Sequence, residues 1–143
     1  MINGIILLCL LTIIVFSTLI FHKSKRIHLF LFDFKQQQIT LIENNYRQLE
    51  ALIGIYQTLP LKQALPPLRG WAGSPDYLSI LAAKILQKEP KIVVECGSGS
   101  SSLVIGACLK KLDSGHCYSL DHNPEFAQQT RNALINQDRK SVV

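Results

Sequence analysis

The chain has 143 residues, 48% of them hydrophobic and 17% charged, which leaves room for one domain and excludes a disordered chain. Its net charge of +5 is not a nucleic-acid signature, because Lys23, Lys25, Arg26, Arg47, Arg139 and Lys140 are scattered and no dense basic patch interleaved with aromatics forms. The cysteines at 9, 96, 108 and 117 have no CxxC pair and no nearby His at zinc-ligand spacing, which argues against a metal site and for a reducing compartment. Cys96, Cys108 and Cys117 fall in expected strands or a helix, where a reduced Cys is a small buried hydrophobe.

Residues 5–21 (IILLCLLTIIVFSTLIF) form an apolar run, and the first 21 residues carry no Asp, Glu, Lys, Arg or His. About 20 helical residues just cross a hydrocarbon core of roughly 30 Å, and Thr12, Ser17 and Thr18 can bond back to their own helix. A cleaved signal would carry its positive charge before the apolar run, whereas Lys23, Lys25 and Arg26 follow it. Residues 1–22 therefore read as an uncleaved single-pass anchor, and the positive-inside rule places everything after it in the cytosol.

Residues 23–58 are expected to be a juxtamembrane amphipathic helix. Ile39, Ile42, Tyr46, Leu49, Ile53 and Tyr56 are spaced 3, 4, 3, 4, 3, an a/d seam with Glu43, Asn44, Asn45, Arg47, Gln48 and Glu50 on the other faces. The seam covers about two and a half heptads, and two uses are open to it: a short coiled coil making a homo-oligomer, or packing onto the chain's own domain. Residues 59–74 (LPLKQALPPLRGWAGS) are a Pro- and Gly-rich linker in which Pro66 and Pro67 exclude a helix. Arg69, Gly70 and Trp71 stand out there, and Trp71 either packs the linker down or covers a ligand.

Ser74, Pro75 and Asp76 read as N-cap, first helical position and first-turn acid of a helix over 75–88 that Pro90 closes. Residues 91–96 (KIVVEC) read as a buried parallel strand, 97–102 as a turn, 103–112 as a helix, and 116–120 (HCYSL) as a second strand ending at Asp121. Asn123 and Pro124 cap and start a helix through Phe126, Thr130 and Leu134. Strand, Gly-rich turn, helix, strand, acid, helix is the order of a nucleotide-binding βαβ unit, so the fold class is α/β with a Rossmann-like sheet behind two amino-terminal helices. Gly97 and Gly99 allow a tight turn close to a ligand, the amides at the next helix start face an anionic group, and Asp121 is placed to accept ribose hydroxyls. Dinucleotide sites place an aliphatic residue and a glycine where this chain has Glu95 and Ser102, which disfavours an NAD(P)-dependent oxidoreductase without removing it as the alternative.

The segments VVECGSGSSSLV and YSLDHNPEFA resemble the first two motifs of class I S-adenosylmethionine-dependent methyltransferases, and LRGWAGSPDYL looks like the lead-in of a membrane-anchored subgroup. The resemblance covers residues 66–137. It implies that Glu95 serves the methionine end of S-adenosylmethionine, that the loop of Gly97, Ser98, Gly99 and Ser101 lies along the cofactor, and that Asp121 holds the ribose. Many members carry a third glycine where this chain has Ser101. It implies no catalytic residue in this stretch, because the acceptor side of the family's sheet lies beyond position 143. Residues 75–137 are therefore expected to be an incomplete methyltransferase domain, inactive as written and with an unknown methyl acceptor. A back-translation of residues 138–143 (DRKSVV) matches a sequencing-library adapter, so this tail is expected to be non-native. A non-catalytic membrane protein associating through residues 39–56 is the reading from another class.

Overall fold

The computed structural model describes residues 2–68 and 70–137; Arg69 and the 138–143 tail lie outside the described residues. The elements in order are α1 (Ile2–Thr58), α2 (Pro75–Lys88), β1 (Ile92–Cys96), α3 (Ser100–Leu112), β2 (His116–Leu120) and α4 (Pro124–Asn136). The chain divides into two compact units, and the division falls inside α1 between Asn44 and Asn45.

The expected anchor and the amphipathic helix are one helix, α1. No proline interrupts it, and the Thr12 and Thr18 hydroxyls donate to the carbonyls of Cys9 and Val15 at 2.8 Å, which satisfies polar groups that hydrocarbon would leave bare. Its most apolar 18-residue window has a mean hydropathy of 2.8, so α1 is long and apolar enough to cross a membrane.

In the second unit, α1 reaches the core through Ile55, 2% exposed, with Leu59 just beyond the helix end. Partly buried Gln48, Ala51 and Leu52 recur with Ile55 at spacings of three and four, one stripe of the helix. The a/d seam lies mostly elsewhere: Tyr46, Leu49, Ile53 and Tyr56 are exposed, and Tyr56 reaches the domain, its hydroxyl accepting from the Leu65 amide at 2.7 Å. The expectation that the seam packs onto the chain's own domain is thus corrected for Tyr46, Leu49 and Ile53, while Tyr56 joins that domain through one hydrogen bond. Ile55, outside the 3-4 pattern, makes the core contact.

Helix α2 has the bounds that Pro75 and Pro90 dictate, but Ser74 caps it without a bond to a backbone amide. Its hydroxyl donates instead to Asp76 at 2.5 Å. Together with a Gln48 side-chain bond and the Tyr77 amide, this lowers the Asp76 pKa below the ordinary aspartate value. Helix α3 begins at Ser100, not Leu103. The apolar period starts only at Leu103, but Ser102 already receives a bond from the Gly99 amide at 3.1 Å, which sets the first turn. From Ser102 to Leu109 every residue of α3 is buried, the mark of a helix enclosed by its neighbours rather than lying on a surface. The core is Ile55 and Leu59, Leu78, Ala82 and Ile85 of α2, and Val104, Ile105, Ala107, Cys108 and Leu109 of α3.

Strands β1 and β2 pair in parallel, Ile92 opposite His116 through Cys96 opposite Leu120, with α3 as the crossover. The βαβ unit is present; the sheet among the described residues has two strands. Gly115 sets the approach of β2 to β1. Its φ is +92°, and a Cβ there would lie 2.7 Å from the Pro90 carbonyl oxygen and 2.9 Å from Leu109. Parallel pairing puts Val93, Glu95, Cys117 and Ser119 on the α3 side, while Ile92, Val94, Cys96, Tyr118 and Leu120 are exposed on the other. Cys96 is therefore not the buried thiol expected; strand alternation turns it outward. Asn123 caps α4 as read from sequence, accepting from the Glu125 and Phe126 amides at 2.9 and 3.3 Å.

Candidate functional site

A parallel βαβ unit brings the carboxyl ends of its strands side by side, and here the turn after β1 meets the residue after β2. The Gly97 amide extends the ladder by donating to the Leu120 carbonyl at 2.7 Å. The chain then turns through Gly97 (φ +95°) and Gly99 (φ +152°), conformations an L side chain rarely adopts. Asp121 closes the arrangement. One carboxylate oxygen accepts from the Ser98 amide at 2.8 Å and the Ser98 hydroxyl at 2.5 Å, and the other accepts from the Asn123 amide at 2.9 Å. These bonds, the Ser98 hydroxyl first, hold its pKa below the ordinary aspartate value of 3.8, against the smaller opposing effect of burial. The side chain is 7% exposed, and His122 beside it is fully exposed.

A cavity of about 690 Å³ opens over this turn. Its wall contains Gly97, Ser98, Gly99 and Asp121 from the strand ends, Ser100 and Ser101 from the first turn of α3, His122 and Phe126 from β2–α4, and Pro66, Pro67, Trp71, Ala72 and Gly73 from the linker. The size is within the range of small-ligand sites. A Cβ added at Gly97 or Gly99 would meet no atom within 4 Å, so open space lies against the backbone where a ligand would need to approach.

Of the residues singled out from sequence, Gly97, Ser98, Gly99, Ser101 and Asp121 come together in this wall, and Glu95 does not. Glu95 lies beneath the loop, half-buried, where Ser102 and Ser119 donate to one carboxylate oxygen and Ser101 to the other at 2.9 Å. Ser119 is opposite Glu95 in the strand register, a pairing that neither strand announces alone. The carboxylate ties β1, β2 and the first turn of α3 into one block. Nearby, burial pushes the Cys117 thiol pKa up, helped by the Glu95 charge and opposed by a bond with Ser119.

No protein-family model, no curated protein and no solved structure matches this chain.

Two aromatic residues also belong to the wall. Phe126, expected on the helix with Thr130 and Leu134, is exposed in the first turn of α4 and lines the cavity, whereas Thr130 and Leu134 are buried. Trp71 does not pack the linker down; it is fully exposed on the cavity rim. The linker is held in place by Gln137, just past α4, whose side chain accepts from the Lys62 amide at 2.8 Å and donates to the Gln63 carbonyl at 3.0 Å. Among the described residues no group of three or more His, Cys, Asp or Glu side chains could hold a metal ion.

The geometry defines what the site can accept. A carboxylate offers about four lone-pair directions, and three on Asp121 are occupied, so it can receive one further hydroxyl directly. A second requires the Ser98 hydroxyl to turn away.

Proposed function

We propose that the chain binds S-adenosylmethionine at this cavity as a class I methyltransferase with a Rossmann-like sheet, and that α1 anchors it in a membrane with the domain on the cytoplasmic side. The observation that carries the reading is the convergence of the Gly97–Gly99 turn and Asp121 on one open cavity at the carboxyl ends of two parallel strands. The residues fit the group: the two glycines border free space, Asp121 keeps an acceptor for a ribose hydroxyl, and Phe126 and Trp71 offer flat apolar surface to a base. Glu95 supports the reading as a positioning residue, since its three serine bonds hold the loop from below. The cofactor supplies an electrophilic methyl group on a sulfonium. What the protein contributes to such a transfer is mainly orientation, and this loop is built to orient.

The anchor rests on the hydropathy of α1, and the cytoplasmic placement on Lys23, Lys25 and Arg26 following the apolar run.

Equilibrium binding to the full chain in detergent tests the cofactor reading. Trp71 is the single tryptophan and stands on the cavity rim, so its fluorescence reports occupancy. S-adenosylmethionine and S-adenosylhomocysteine should each give a saturable change, and Asp121→Ala should weaken both about 10- to 150-fold, the worth of a lost bond to a charged acceptor. Tighter binding of NAD than of either sulfur nucleoside would overturn the reading in favour of an oxidoreductase.

A further inference from the structure

The exposed seam of α1 is the feature that the cavity leaves without a role. Tyr46, Leu49 and Ile53 are 64%, 52% and 49% exposed, on a helix whose other stripe, through Ile55, already serves the core. Such a row of apolar side chains, with Ile39 and Ile42 continuing it at heptad spacing, is unusual on a solvated helix. Its flanking residues indicate the occupant. With Ile39, Ile42, Tyr46, Leu49, Ile53 and Tyr56 as alternating a and d positions, Glu43 and Glu50 fall at e, and Gln38 and Asn45 at g.

In a parallel pair of identical helices, each g residue lies against the e residue five positions on in the other copy. Gln38 then meets Glu43, and Asn45 meets Glu50, so each carboxylate faces an amide donor. In an antiparallel pair e residues face e residues, which would set Glu43 of each copy against Glu50 of the other. The charges thus select the parallel arrangement, the same one that two chains anchored through α1 in one membrane must adopt.

We propose that the occupant is a second copy of this chain, joined as a parallel dimer through Ile39, Ile42, Tyr46, Leu49 and Ile53. About two and a half heptads are short for a free coiled coil, but confinement of both chains to one bilayer raises the effective concentration of each for the other. Only the anchoring part of the proposed function is used here; the cofactor is not.

The test is oxidative cross-linking of the full chain in dilute phosphatidylcholine vesicles, with Cys9 and Cys96 replaced by Ser to remove the exposed thiols. At d positions of a parallel pair the two Cα atoms come within disulfide reach, and at b positions they do not. Ile42→Cys and Leu49→Cys should each yield about tenfold or more disulfide-linked dimer than Arg47→Cys, a b position. Adding Leu49→Glu to the Ile42→Cys chain should bring linking down to the Arg47→Cys level. Equal linking at all three positions, linking of Ile42→Cys only to an Ile53→Cys partner, or indifference to Leu49→Glu would each overturn the parallel dimer. Trp71 fluorescence unchanged across the variants shows that the domain itself is intact.

Discussion

The two faces of the β1–β2 sheet have similar backbone and different fates. Toward α3, Val93 and Cys117 pack on the core while Glu95 and Ser119 join Ser101 and Ser102 in a bonded polar cluster. On the other side Ile92, Val94, Tyr118 and Leu120 are exposed, although their composition is that of a buried face. The covered face shows what the sheet does at its carboxyl end: a half-buried carboxylate bonded by three serine hydroxyls holds the loop that borders the cavity. The uncovered face shows that apolar character alone does not say which side a neighbour will occupy.

The contrast can be broken most severely at Gly115, which sets the spacing of both strands. Gly115→Val would force a side chain into the Pro90 carbonyl at positive φ and should cost about 3 kcal/mol or more in urea unfolding, disturbing both faces together. A smaller and one-sided effect is expected from Glu95→Ala. It strands hydroxyls in a part-buried site and should cost about 1 to 2 kcal/mol, whereas Val94→Thr on the open face should stay within about 0.5 kcal/mol. Equal losses for the two substitutions would mean that the faces are not different in the way described.

Chemical labelling sharpens the same contrast without changing stability. Cys96 faces outward, and Cys117 is half-buried with its thiol pKa pushed up, so at neutral pH a maleimide should modify Cys96 about tenfold or more faster than Cys117. Acid gives the subtlest reading. Asp121 has a folded-state pKa below its unfolded value, so its stabilising contribution is complete above that ordinary value and is lost as the pH falls through the lower, folded one. Asp121→Asn should therefore flatten the stability profile below about pH 4 while lowering stability at neutral pH. An unchanged slope would remove Asp121 as the clasp of the turn.

Much of this was legible before the structure, and for identifiable reasons. Proline and asparagine punctuate α2 and α4, so Pro75, Pro90, Asn123 and Pro124 marked their limits closely. The turn and Asp121 were legible because glycines and an acid at strand ends have few other uses. Less legible were features that exist only between segments. Glu95 reads the same whether it faces a ligand or a serine cluster, and only the register with Ser119 decides between them. The inward stripe of α1 was hidden because polar Gln48 and small Ala51 interrupt it, so Leu52 and Ile55 do not stand out beside the longer seam. Cys96 was misjudged because strand alternation was not carried to its last residue.

The Gln137 side chain has one more implication. It joins the end of α4 to residues 62–63, a contact separated by 75 positions along the chain. Contacts of such sequence separation close late in folding, because a long loop must be ordered before they return any free energy. Residues 62–68 are therefore expected to be among the last parts of the unit to acquire protection from proteases and the first to lose it, so their cleavage rate reports this local opening rather than global unfolding.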